Sequence, residues 1–134
     1  SNVITYGYLN DIDKVKILNS TKALVFPITE HETFGLAVIE AMYYGNYILG
    51  TTYGALPEIV TPTTGYLSNN SDHLSAVFNN KQFSPLECHN RAKEFNIINS
   101  AKQYIEHYKT ILSGKDLHDS NPSLLERIEQ LEWT

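Results

Sequence analysis

His31-Glu32-Thr33-Phe34-Gly35-Leu36-Ala37-Val38-Ile39-Glu40 is the stretch on which the reading of this chain turns. Before it, Ala23-Leu24-Val25-Phe26-Pro27 is a short apolar run ended by proline, the pattern of a buried parallel strand. After Gly35, apolar residues recur at helical spacing from Leu36 to Tyr44 and stop at Gly45, a residue suited to follow a helix end. The segment therefore reads as strand, loop, helix. In open α/β sheets, the loop at the carboxyl end of a strand is where ligands bind.

The chemistry expected there follows from helix geometry. The first helical turn has free backbone N–H groups and a partial positive charge, which suit a phosphate, and Gly35 has no side chain to block its approach. Glu40 falls about one turn into the helix, and helical side chains lean back toward the N-terminus. A carboxylate beside a phosphate repels it, so Glu40 is better suited to accept hydrogen bonds from a vicinal diol such as a ribose. Glu32, on the loop, is placed to accept from hydroxyls of a second sugar. A diphosphate flanked by two sugars is a nucleotide-diphosphate sugar.

The residues around this core carry a resemblance. Phe26-Pro27, Glu32-Thr33-Phe34-Gly35-Leu36, Glu40-Ala41-Met42, Gly45, Ile48-Leu49, Gly54 to Val60 and Gly65-Tyr66-Leu67 follow one another in this order. The set resembles the E-x7-E signature and flanking motifs of the retaining glycosyltransferases of group 1 (family 4), over residues 3–95 or so. The resemblance implies a GT-B fold, with this chain as part of its C-terminal lobe. It assigns Glu32 the catalytic position against the transferred sugar and Glu40 the ribose hydroxyls. Phe34, Gly35, Leu36 and Ala37 match the turn whose amides contact the donor, and Gly7-Tyr8-Leu9 the loop bordering the base. Asn46 stands where the family commonly has proline, Ile28-Thr29 where serine follows the first proline, and Ala55 where a second glycine is frequent.

The implied activity is transfer of a sugar from a nucleotide donor to a hydroxyl acceptor with anomeric retention, by positioning and electrostatic stabilisation. No cofactor is implied beyond the donor substrate. An epimerase or phosphorylase on the same fold is the enzymatic alternative, and a non-catalytic nucleotide-sugar-binding or scaffolding lobe the other. A pyridoxal-dependent phosphorylase needs a lysine near the site, and no lysine or arginine lies between Lys22 and Lys81. The same gap bears on donor binding. A diphosphate carries about two negative charges and a helix terminus offers only about half a positive one, so the balancing cation must come from elsewhere. In the resembled family it comes from the first half of this domain, and the acceptor from an N-terminal domain. With Ser1-Asn2 at its start, the chain reads as a fragment expected to be inactive alone.

Composition narrows the class further. The 134 residues, 42% of them apolar, suffice for one core. The net charge of −5 and the lack of a basic run argue against nucleic acid. No run is long enough to span a membrane, so the expected location is cytoplasmic, with the inner face of a membrane as a variant. The single Cys88 gives no disulfide framework and is expected to pack rather than react. The five histidines show no ligand spacing, so no metal is expected. His31 reads either as a ligand contact or as a loop residue that faces water or caps backbone. Tyr43, Tyr44, Tyr47 and Tyr53 read as packing residues.

The expected fold class is α/β, a Rossmann-like parallel sheet flanked by helices. Strands are expected over Val3–Tyr8, Ala23–Phe26, Tyr47–Thr51 and Gly65–Ser68. Helices are expected over Asp11–Asn19 behind an Asn10 cap, Leu36–Tyr44, Pro57–Val60, Asp72–Phe78, Pro85–Glu94 and Ile97–Leu112, the last with its apolar stripe in the core. Residues 1–114 form the expected partial donor-binding domain. Residues 115–134 form a tail whose Leu124, Leu125, Ile128 and Leu131 mark a short amphipathic helix.

Overall fold

Three parallel strands, paired in chain order, form the sheet of the computed structural model, which describes residues 2–80, 83–118 and 120–121. β1 (Ala23–Phe26) pairs with β2 (Tyr47–Gly50), Ala23 opposite Tyr47 and Phe26 opposite Gly50. β2 pairs with β3 (Gly65–Leu67), Ile48 opposite Gly65. Helices connect them: α1 (Asp11–Ser20) precedes β1, α2 (Leu36–Tyr43) joins β1 to β2, and the short α3 (Leu56–Ile59) lies between β2 and β3. α4 (Ser71–Asn80), α5 (Pro85–Glu94) and α6 (Ile97–Leu112) follow. The α/β class and the parallel sheet flanked by helices are as the sequence led us to expect.

Local chemistry explains most of the boundaries. Asn10 caps α1: its Oδ1 accepts from the Asp13 amide at 2.9 Å, satisfying one helix-end group, and its Nδ2 donates to Asp13 Oδ2 at 2.9 Å, which holds the cap in place. α2 ends as Gly45 donates its amide to Met42 O at 2.9 Å. Pro85 opens α5 behind Ser84, which accepts from the Glu87 amide.

Strand alternation distributes the helices over both faces. Val25 and Leu49 share one face, where they line a cavity of about 360 Å³ with Leu74 and Phe78 of α4. Gly50 faces the other way, where a β-carbon would lie 3.7 Å from Leu56 Cδ1 of α3. α2 packs on β1 and β2, and α5 packs on α2. The core comprises Val38, Ala41 and Met42 of α2, Tyr47, Ile48 and Leu49 of β2, Leu56 and Ile59 of α3, and Cys88 and Ala92 of α5.

Two expected features are corrected. Residues 3–8 form no strand: Val3, Ile4, Tyr6 and Tyr8 are exposed, and the sheet contains only β1 to β3 among the described residues. The strand preference of β-branched and aromatic residues depends on context, and residues 3–8 join neither β1 nor β3, the two edges of the sheet. The stripe of α6 is not core either: α6 has no buried residue, and Ile97, Tyr104, Ile105, Tyr108, Ile111 and Leu112 are all exposed. Its periodicity reports an amphipathic surface, whereas burial requires an opposing element, and α2 and α4 already cover the sheet, with α5 on α2. The tail helix expected around Leu124, Leu125, Ile128 and Leu131 lies outside the described residues.

Candidate functional site

The loop from Phe26 turns into α2 through Gly35, which adopts the left-handed conformation (φ 82°, ψ 43°) as N-cap. Val38 and Ile39 both donate to Gly35 O, at 3.0 and 3.1 Å. Gly35 has no side chain to cap the turn, and no acidic residue occupies it. The amides of Leu36 and Ala37 thus stand at a helix N-terminus whose N–H groups and dipole favour an anion. The left-handed backbone favours glycine at this position, where a β-carbon would also sit 2.9 Å from Ile59 Cδ1 of α3. Phe34 and Leu36 flank the turn with exposed side chains.

Glu32 closes over this turn. Its Oε1 accepts from the Phe34 amide at 3.3 Å, and its Cγ lies 3.7 Å from where a Gly35 β-carbon would be. The loop is braced from behind by residues after β2. Ala55 donates its amide to Glu32 O at 2.8 Å, and Gly54 donates its amide to His31 Nδ1 at 3.2 Å. The His31 ring meets Tyr53 edge-on at 5.7 Å. His31 makes the backbone contact that was one of its expected readings, with Nδ1 as acceptor. Gly54 (φ 60°) is forced by this bracing: a β-carbon there would lie 2.1 Å from Glu32 O.

Glu40, in the second turn of α2, forms an ion pair with Lys14 of α1, Nζ to Oε1 at 2.8 Å. Lys14 also lies 3.3 Å from Asp11 Oδ1, and these carboxylates, Glu40 foremost, hold its ammonium above the usual lysine range. Glu40 borders a groove of about 670 Å³ between α2 and α5, with Leu36, Ile39, Tyr43, Lys93 and Phe95 among its walls. Glu32 is not among the described lining residues of that groove. Gly7, Tyr8 and Leu9 lie in the irregular segment leading to the α1 cap, with Tyr8 fully exposed. The structure thus gathers Glu32, Phe34, Gly35, Leu36 and Ala37 at one turn. It places Glu40 on the flank that faces α1, the helix that Gly7–Leu9 precede.

Residues 1–80 match the profile of the family described as glycosyl transferases group 1. The chain belongs to that family. Among curated relatives, a serotype-specific mannosyltransferase WbdA of Escherichia coli is 42% identical over 60 residues, 45% of this chain and 7% of that protein. An uncharacterized 41.2 kDa protein in the cps region of Klebsiella pneumoniae is 26% identical over 121 residues, 81% of this chain and 33% of its own length. The N-acetyl-alpha-D-glucosaminyl L-malate synthase of Bacillus anthracis is 36% identical over 66 residues, 48% of this chain and 17% of that protein. The chain thus spans a third or less of each of these relatives.

For this group 1 family member, the sequence reading overlooked three contributors to the site. Lys14 supplies a cation from outside the stretch between Lys22 and Lys81. Gly54 with His31 braces the Glu32 loop. Asn46, noted only as a departure from proline, is fully buried and clasps α1 to α2: its Nδ2 donates to Leu18 O at 2.8 Å and Ala41 O at 3.1 Å. Its Oδ1 accepts from the Thr21 hydroxyl at 2.6 Å. No signal within one element marks these pairs. Arg91 is turned away from such a role. It donates to Glu58 O and Ile59 O at the end of α3, pairs with Glu94 and stacks on Phe95. Glu58 sits in the first turn of α3, as expected for a carboxylate near a positive helix end. Cys88 is buried against Thr64 O, and desolvation pushes its thiol up to about 11, consistent with a packing residue. No helix among the described residues is long and apolar enough to cross a membrane.

Proposed function

We propose that this chain is the donor-binding portion of a retaining glycosyltransferase of the GT-B type, part of its C-terminal lobe, with residues 1–114 as the donor-binding unit. The observation that carries the proposal is the uncapped N-terminus of α2, opened by left-handed Gly35, with Glu32 at its mouth and Glu40 one turn in. The amides of Leu36 and Ala37 bind the diphosphate of the donor. Glu40 accepts from the ribose hydroxyls, and Gly7-Tyr8-Leu9 border the base. Glu32 lies against the transferred sugar, where a carboxylate stabilises positive charge developing on the ring. The acceptor is a hydroxyl compound bound by another domain of the same enzyme. Because relatives are named as mannosyltransferases, mannosyl donors are the first to test.

Calorimetry of this chain with GDP- and UDP-sugars tests the proposal. The expected result is weak binding, with a dissociation constant above about 10 μM, abolished by Glu40→Gln, and no sugar transfer by the chain alone. Binding that persists unchanged in the Glu40→Gln variant, or no binding at millimolar ligand, refutes it. Retention is tested on the whole enzyme by the anomeric configuration of its product, and inversion refutes that part.

A further inference from the structure

The Lys14–Glu40 pair does more than decorate a surface. Lys14 lies in the first turns of α1, directly after the Gly7–Leu9 loop, and its ammonium reaches across to Oε1 of the one α2 carboxylate assigned to ribose. The reach depends on how α1 is held. The Asn46 clasp joins the C-terminal end of α1, through Leu18 O and Thr21 Oγ1, to Ala41 O, the residue that follows Glu40. Leu18 packs on the core from the same helix. The lysine is thus delivered by a fixed helix rather than by a loop. It remains 38% exposed and Glu40 40% exposed, so the pair is open to a ligand.

From this geometry we propose that Lys14 is a positioning residue for Glu40, holding its carboxylate oriented toward the ribose of a nucleotide beside the diphosphate. The inference rests on the donor-site reading given above. The physical need is specific. An ionised Glu40 close to a diphosphate experiences like-charge repulsion, and no lysine or arginine lies between Lys22 and Lys81 to relieve it. Lys14 supplies that charge from α1. Engaging Oε1 limits the carboxylate to an arrangement in which a hydroxyl donor can share it, as charge-assisted hydrogen bonds require.

The test uses this chain with GDP and UDP and their 2′-deoxy and 3′-deoxy counterparts, titrated by NMR, in wild type, Lys14→Met and Lys14→Arg. Circular dichroism confirms that each variant is folded. Wild type is expected to prefer the ribonucleotide by about tenfold. In Lys14→Met the preference falls to within about twofold and overall affinity drops, while Lys14→Arg retains most of both. A folded Lys14→Met that keeps the full preference, or that binds ribonucleotides as tightly as wild type or tighter, overturns the inference while leaving the donor site standing. A wild-type chain that binds none of the nucleotides refutes the donor-site reading and the inference together. A ligand-free measurement separates the contact from the ligand. The Lys14 Cε titration midpoint is expected to fall in Glu40→Gln, and an unchanged midpoint overturns the inference.

Discussion

Asn46→Ala is expected to loosen α1 from the rest of the domain, and the size of the effect follows from the clasp. The substitution removes donations to Leu18 O and Ala41 O and the acceptor for the Thr21 hydroxyl. Thr21 has one hydroxyl proton and sits 3.1 Å from Leu18 O, so it can turn to that carbonyl and recover one bond. Ala41 O keeps the Asn46 amide at 3.0 Å, which alanine preserves. The net loss is about two hydrogen bonds at about 0.5–1.5 kcal/mol each, plus a small buried void, or about 2–3 kcal/mol in all. For a domain of this size about 3–5 °C accompanies each kcal/mol, so the melting temperature should fall by about 6–15 °C. Thermal unfolding followed by circular dichroism reads this directly. Asn46→Pro should be worse, because it also deletes the amide donated to Ala41 O. A melting temperature within about 2 °C of wild type for Asn46→Ala would show that the clasp contributes nothing, and that the delivery of Lys14 by a fixed helix is misconceived.

Gly54→Ala places a β-carbon 2.1 Å from Glu32 O in a left-handed backbone, so the Glu32 loop must move. It should cost at least about 1–2 kcal/mol of stability and weaken nucleotide-sugar binding. Gly114→Ala, with the same backbone hand and open space around it, is the control that isolates strain, and equal effects on binding would refute the bracing role. Cys88 makes stability fall with rising pH. Its thiol titrates near 11 in the folded chain and near 8.5–9 when unfolded, so between those values the unfolded state has released a proton that the native state retains. Melting temperatures should decline from about pH 9 to 11, more steeply than in Cys88→Ala, and parallel declines would remove the thiol as the cause.

Element order, type and most boundaries were legible in the sequence because their signals are local. Asn10 and Asp13, Ser84 and Pro85, and Gly45 after the α2 periodicity each act within a turn or so of the residues they organise. The turn at Gly35 was legible for a related reason, since strand, glycine and amphipathic helix follow one another directly. Tertiary structure alone decided which of these segments find partners. The apolar pattern of residues 3–8 was read as a strand and that of α6 as core, yet both are exposed, because periodicity states what a segment can bury and not what lies opposite it. The same holds for the polar contacts that shape the site. Lys14 with Glu40, Asn46 with Leu18 and Gly54 with His31 join residues from different elements, where no spacing rule connects them. Such pairs arise only when packing has set the distance between elements. Glu40 thus meets its cation, Lys14, on the neighbouring helix and not along its own.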